Sequence, residues 1–345
     1  MVNITPVKRK RPTMYDVARL AGVSQPTVSR VLNHTEASAL ISDETRQRVL
    51  AAVEELGYRP NTVARSLRTQ RTQTIAMLIA DISNGFYHPM ARAVQDVARQ
   101  YDYEVLLSNS DHVYENEHHF CEIVLSRPVD GVIMVPIHLT TEDLGRYVEQ
   151  THIPFVVLAE QIDHPNIDVV YVDDEKATYD AIRWLITEGG HQKIGYVGVP
   201  DFYPPGPRRR QGLERALKDS GLSLDPRFMF EGDFTLESGK RAAHAMMQVG
   251  ELPTAVYVIN DLMAIGVILA LQEAGYSVPG DVAVLGFDDI PEATIVRPTL
   301  STIAQDPRDI GLKLATALFE RLENPEIKER RVFQSSCRLI VREST

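Results

Sequence analysis

From residue 74 onward, short apolar runs alternate with helix-periodic stretches, and this alternation constrains the fold more than any other feature of the chain. Strand-like runs fall at 74–82, 104–108, 131–135 and 154–158, with helical stretches at 89–101, 114–126 and 141–150 between them. After Tyr171 the pattern resumes. Helices are expected at 177–188, 208–220, 237–249 and 261–274, and strands at 194–199, near Phe228, at 255–259 and at 282–287. A parallel neighbour is reached only by a crossover, so the repetition implies parallel sheets with helices on both faces. Two successive sets imply two similar α/β lobes. A helix at 306–322 and strand material at 331–342 remain to cross back between them.

The stretch 14–33, MYDVARLAGVSQPTVSRVLN, has a different texture. Thr13 and Asp16 have the spacing of a capping box, and Val17, Ala18 and Ala21 then give a first short helix one apolar side. Gly22 permits a backbone turn. Ser24 can cap a second helix, with Pro26 in its first turn, where a missing N–H costs nothing. Val28, Val31 and Leu32 face inward, which leaves Gln25, Pro26, Ser29, Arg30 and Asn33 as a polar stripe with one cation. A helix-turn-helix presents such a stripe to the DNA major groove. The alternative is an αα-hairpin buried in a larger domain. After a loop at 34–41, Ser42 is placed to cap a third helix with Thr45, Val49, Ala52, Val53 and Leu56 on its apolar side.

Net charge is −11, which opposes DNA binding until it is divided along the chain. Residues 1–72 hold 12 Lys and Arg against 6 Asp and Glu, a net of +6, and the remainder carries −17. The polyanion contact therefore belongs to the head, including the basic arm Lys8, Arg9, Lys10 and Arg11. Asn61 can cap a short helix carrying Val63, Ala64 and Leu67, which needs a partner to form. Exposed Leu67 suits a wedge between base steps in a minor groove, and a plain interdomain linker is the other reading. No apolar run reaches the ~20 residues of a membrane helix. The absence of a secretory signal and the two distant cysteines, Cys121 and Cys337, point to a reducing cytoplasm.

Open α/β sheets bind ligands beyond the carboxyl ends of their strands. Here those ends are Asp81 to Tyr87, Ala159 and Glu160, Asn260 and Asp261, Asp288 and Asp289, and the start of the helix expected at 208–220. Carboxylates, an amide, arginines and Phe86, Tyr87 and Phe234 would line one cleft, a mixture suited to a small polar molecule such as a sugar.

The runs TMYDVARLAGVSQPTVSRVLN, SDETRQRVLAAVEELGYRPNTVARSL, DISNGFY, RRRQG, NDLMAIG, VLGFDD and LSTIAQD closely resemble the LacI/GalR family of bacterial transcription regulators. The resemblance spans nearly the whole chain. It implies a small all-α helix-turn-helix head (1–59), a hinge helix and linker (60–73) and a two-lobed, doubly wound, periplasmic-binding-protein-like body (74–345). Lobe 1 would comprise 74–171 plus 304–328, and lobe 2 would comprise 172–303 plus 329–345. The implied function is that of a repressor acting as a homodimer on double-stranded operator DNA, controlled by a small, sugar-like effector and needing no cofactor. By this likeness Gln25, Pro26 and Arg30 read bases. Thr13, Tyr15, Ser24, Thr27, Ser29 and Asn33 lie near DNA, and Asn61 and Ala64 accompany the Leu67 wedge. The effector positions carry over to Phe86, Tyr87, Arg209, Phe234, Asn260 and Asp288, with Glu160 following an Ala159 where the family often has Asp. The loop at 34–41 is longer than usual, and no heptad tail follows the last strand, which favours a dimer.

Two other classes of function compete. An enzyme on a doubly wound fold lacks support from any phosphate-binding glycine motif. The cluster Glu117, His118, His119, Cys121 and Glu122 reads as a solvated helix face, and the pairs Asp173/Asp174 and Asp288/Asp289 need not converge. A solute-binding protein would suit the two lobes but not the head.

Overall fold

The computed structural model describes residues 12–32, 41–59, 66 and 70–345, and divides into units Met1–Thr72 and Gln73–Thr345. The basic arm, Asn33, Asn61, Ala64 and Leu67 lie outside the described residues.

The first unit holds α1 (Met14–Ala21), α2 (Gln25–Leu32) and α3 (Asp43–Leu56). Thr13 and Asp16 form the expected capping box: Asp16 accepts from the Thr13 backbone N–H at 2.9 Å, and the Thr13 hydroxyl accepts from the Asp16 N–H at 3.4 Å. Gly22 ends α1 at φ +66°, a left-handed conformation that a side chain resists, and its N–H caps the Ala18 carbonyl. Val17, Ala18, Ala21, Val28, Val31, Val49, Ala52 and Tyr58 make one small core. Thr45 is not part of it. Its hydroxyl accepts from Ser42 at 3.0 Å instead.

The second unit contains two six-stranded sheets. The first is built from β1 (Thr74–Ile79), β2 (Glu104–Asn109), β3 (Gly131–Met134), β4 (Phe155–Leu158) and β5 (Ile167–Val172). Its helices are α4 (Tyr87–Gln100), α5 (Tyr114–Ser126) and α6 (Thr141–Thr151). The second is built from β6 (Ile194–Gly198), β7 (Met229–Glu231), β8 (Ala255–Val258), β9 (Ala283–Asp288) and β10 (Ser301–Gln305). With it come α7 (Asp174–Thr187), α8 (Pro205–Asp219), α9 (Leu236–Met247) and α10 (Asp261–Glu273). Then α11 (Pro307–Glu323) returns to pack on α4, β11 (Val332–Ser335) joins β5 in the first sheet, and β12 (Cys337–Ile340) joins β10 in the second. All pairings are parallel except β10 with β12.

Helices on both faces explain the continuous apolar runs. From Ile75 to Ile79 of β1 every residue is buried, and each large side chain there contributes at most about 1.5–3 kcal/mol. The chain passes between sheets at Asp173, Asp306 and Ser336, giving a three-stranded hinge. This corrects the expected lobe boundaries. Residues 304 and 305 end a strand of the second sheet, and β11 pairs in the first sheet, although 329–345 was expected in lobe 2. Strand β5 and strand β10 were not anticipated as strands.

Candidate functional site

In the first unit, α2 turns Gln25, Pro26 and Arg30 to solvent, with Ser29 half-buried beside them. Tyr15 is 61% exposed on α1. The Ser24 and Thr27 hydroxyls bond each other at 2.9 Å, and Ser24 accepts from the Thr27 N–H at 3.4 Å. These groups order the start of α2. Thr13, also exposed, is engaged in the capping box.

In the second unit the carboxyl ends of both sheets face one cleft of about 820 Å³, measured out to its open mouth. Phe86, Tyr87, Glu160, Arg209, Phe234 and Asp288 all line it, although they come from five separate connections. Asn84 and Arg208, within segments expected at the cleft, line it too, and the structure adds His112, Tyr171, Asp174 and Gln305. Asn84 lay within the DISNGFY motif. In the sequence Asp174 stands out only as half of an acidic pair, and His112 carries no periodic or motif signal.

Asn260 does not line the cleft. It is 1% exposed, and its Oδ1 accepts from the Met263 N–H at 3.0 Å to cap α10. Nor is Asp261 part of the lining. It is buried, accepts from the Thr302 hydroxyl at 2.7 Å and the Ile290 N–H at 3.0 Å, and burial pushes its carboxyl well up. Asp289 pairs with Arg342 at 2.6 Å.

The polar centre of the cleft is a chain of buried charges. Gly212 lets α8 approach α7 closely, since a Cβ there would lie 2.3 Å from the Glu175 carbonyl oxygen. That approach brings Arg208 Nε within 2.8 Å and Arg209 Nε within 3.4 Å of Asp174. Arg209 also reaches Asp288 at 3.9 Å and lies 3.5 Å from the centre of the Phe287 ring. Burial opposes charge on Arg209, but Asp288 and Asp174 raise its affinity for the proton. Asp288 in turn accepts from Gln305 Nε2 at 2.7 Å. Burial pushes its carboxyl up to about 6, against the lowering pull of Arg209 and Gln305. Burial likewise raises Glu160, with Arg208 opposing. The rings of Phe86 and Tyr87 meet edge-to-face at 5.1 Å. Such a site offers donors and acceptors to hydroxyls and ring faces to C–H surfaces.

The Glu117 to Glu122 cluster is only partly the solvated face expected. His118, His119 and Glu122 are exposed, but Glu117 is buried and accepts from the Ile137, His138 and Leu139 N–H groups at 2.8, 3.1 and 3.0 Å. It fixes the loop that follows β3. Among the described residues no group of three or more His, Cys, Asp or Glu is placed to hold a metal, and no helix is long and apolar enough to cross a membrane.

Comparison with known proteins agrees with this geometry. Residues 13–61 match the family model of bacterial regulatory proteins of the lacI family, and residues 165–345 match a periplasmic binding protein-like domain. The chain is 39% identical to catabolite control protein A of Priestia megaterium, over 96% of this chain and 99% of that protein. Its structure resembles the lac repressor dimer bound to operator and the anti-inducer ONPF, with a TM-score of 0.84 and 29% identity, covering 97% and 99% of the two chains. It also resembles the transcriptional regulator CelR in complex with cellobiose, with a TM-score of 0.72 and 28% identity, covering 97% and 100%. The matching family is one of regulators, so the enzyme alternative is set aside. The chain belongs to the lacI family of bacterial regulatory proteins.

Proposed function

We propose that the protein is a homodimeric repressor whose operator affinity is set by a small, uncharged, hydroxyl-rich metabolite held in the cleft. The observation that carries this reading is the convergence of Asp174, Arg208, Arg209 and Asp288 with Phe86, Tyr87 and Phe234 between two lobes joined by a three-stranded hinge. The two arginines are already met by carboxylates, which favours a ligand without charge. The complex of CelR with cellobiose supports a sugar as the ligand, and that of the lac repressor with an anti-inducer supports small-molecule control of operator binding. The dimer on operator formed by the lac repressor supports the same assembly here.

In the head, Gln25, Pro26 and Arg30 read base edges. Thr13, Tyr15, Ser24, Thr27, Ser29 and Asn33 lie near the DNA, and Asn61, Ala64 and Leu67 serve the minor groove. Effector binding biases the lobe angle, and the lobe angle biases operator binding. The coupling is reciprocal, so an effector that loosens operator binding is itself held less tightly by the operator complex. The acting compartment is the cytoplasm, where chromosomal DNA lies.

The test combines selection of genomic duplexes by the purified chain with a thermal-shift panel of sugars, cellobiose and ribose included. The expected result is one enriched two-fold symmetric sequence, with a panel member that both raises the melting temperature and changes affinity for it. Absence of any sequence preference, with and without the panel, overturns the reading.

A further inference from the structure

The two lobes are bridged by a stack of rings. His112, between β2 and α5, belongs to the first lobe. Its ring stacks on Phe234 of the second lobe at 5.4 Å and 13°, and meets Tyr203, also of the second lobe, edge-on at 5.6 Å. Tyr203 and Phe234 meet edge-on at 5.2 Å. Between β3 and α6, His138 stacks on Phe202 at 5.5 Å and 22°. Its Nε2 donates to the His112 carbonyl at 2.9 Å, which ties the two first-lobe loops together. The stack runs from the cleft lining, where His112 and Phe234 sit, out to solvent at Phe202, which is 56% exposed.

His112 and Phe234 both stand in the left-handed region, at φ +57° and +67°. Side-chain-bearing residues rarely adopt it, and such strain collects at functional contacts. His112 Nδ1 is buried and finds no hydrogen-bond partner among the described residues. Burial lowers the proton affinity of this imidazole. Asp81 from the loop after β1, Asp111 from its own loop and Asp233 from the second lobe pull the other way, and His138 adds to the lowering.

We infer that His112 and His138 are positioning residues that latch the lobes through Phe202, Tyr203 and Phe234, and that the latch holds while His112 is neutral. Closing the latch takes the His112 ring out of water. A neutral imidazole loses little by this, whereas an imidazolium loses hydration that ring faces restore only in part. In the open state, with its hydration restored, the ring returns towards the ordinary histidine value of about 6.5, and burial holds the closed state below it. The latch is at full strength above that ordinary value. It weakens as pH falls from there to the closed-state value, by up to about tenfold in the closed-to-open ratio per pH unit. The latch concerns the lobe angle of the protein alone, so it stands or falls apart from the identity of the effector.

The test is single-molecule energy transfer within one subunit of the effector-free full chain. Dyes are placed at Glu142→Cys in the first lobe and Glu237→Cys in the second, both exposed, in a Cys337→Ser background. Wild type is expected to be closed at about pH 8 and to open as pH falls to about 5. His112→Phe keeps the rings without a titrating group and is expected to stay closed at both. His112→Ala is expected to open at the higher pH. Phe202→Ala, at an exposed position that does not threaten folding, is expected to open as well. A pH-independent wild type overturns the inference. So does a His112→Phe variant that keeps the wild-type response, or a Phe202→Ala variant that closes as wild type does.

Discussion

Asn260 donates from Nδ2 to the backbone carbonyl of Phe234 at 3.1 Å while its Oδ1 caps α10. One buried amide thus starts a helix and pins a cleft ring in a strained conformation, with Phe234 at φ +67°. Non-glycine backbone there costs on the order of 1–3 kcal/mol, which the Asn260 bond helps to offset. Asn260 therefore acts on the cleft without entering it.

Asn260→Ser separates the two tasks. Serine caps helices well but is too short to reach the Phe234 carbonyl. Stability is expected to fall by about 1 kcal/mol, the worth of that hydrogen bond, and affinity for any sugar found in the thermal-shift panel by up to about tenfold as Phe234 loses its anchor. Asn260→Ala loses the cap too and is expected to cost about 0.5–2 kcal/mol more. Calorimetric titration beside thermal melting checks both. Unchanged affinity in Asn260→Ser would show that Phe234 needs no such anchor.

Arg30 is exposed on α2 beside Gln25 and Pro26. A cation that reads a base edge contributes to specific binding only, on the order of 1–3 kcal/mol, whereas one that meets a phosphate contributes to all duplexes alike. Arg30→Ala is expected to weaken the selected operator by that amount and random duplex far less. Fluorescence anisotropy at fixed salt gives both affinities. Equal losses would assign Arg30 to the backbone.

The order of elements was legible because hydrophobic period and capping residues are local signals. The run of β1, the capping box at Thr13 and the turn at Gly22 each follow from a few neighbouring residues. Strand β5 escaped because Asp168 interrupts its apolar run. That carboxylate is buried only because Arg321 and Arg331, far along the chain, bond it at 2.7 Å. The lobe assignment of β11 depends on the same distant pairing. In the cleft, strand ends exposed Phe86, Arg209 and Asp288 to sequence reasoning. His112 and Asp174 were hidden, since their roles arise from Phe234 and Tyr203, and from Arg208 and Arg209, across the fold.

Asp288 gives the body a pH dependence of defined sign. Its carboxyl is pushed up to about 6 by burial, whereas an unfolded aspartate titrates at about 3.9. The folded state holds the proton longer, so the Asp288 contribution is greatest below about pH 4 and declines as pH rises to about 6. Asp288→Asn cannot ionise. Its stability relative to wild type is expected to rise across that window, by up to about 3 kcal/mol, and to level off above it. Melting curves of the two proteins from about pH 4 to 8 check the difference. Asp288 also helps to raise the buried Asp261 carboxyl, so Asp288→Asn relieves Asp261 in part and the difference reports both groups. A flat difference would mean that Arg209 keeps Asp288 ionised throughout.

Asp174 is 3% exposed and holds Arg208 and Arg209 of α8. Without it, Arg209, itself 5% exposed, retains Asp288 at 3.9 Å and the Phe287 ring but loses its nearer carboxylate. Leaving a buried charge unpaired costs about 3–5 kcal/mol, more than the intact pair contributes over an apolar replacement. Asp174→Ala is therefore expected to destabilise the second lobe by an amount in that range. Asp174→Ala with Arg209→Met is expected to recover a good part of the loss, because the buried guanidinium is gone and Asp288, already raised by burial, can stay protonated against Gln305. Trp184, the only tryptophan and a residue of α7, reports unfolding of this lobe by fluorescence in urea. Both variants are expected to lose the effector response if Arg209, held by Asp174, contacts the ligand as proposed. A double variant no more stable than Asp174→Ala would show that Arg209 is satisfied by Asp288 and Phe287 alone.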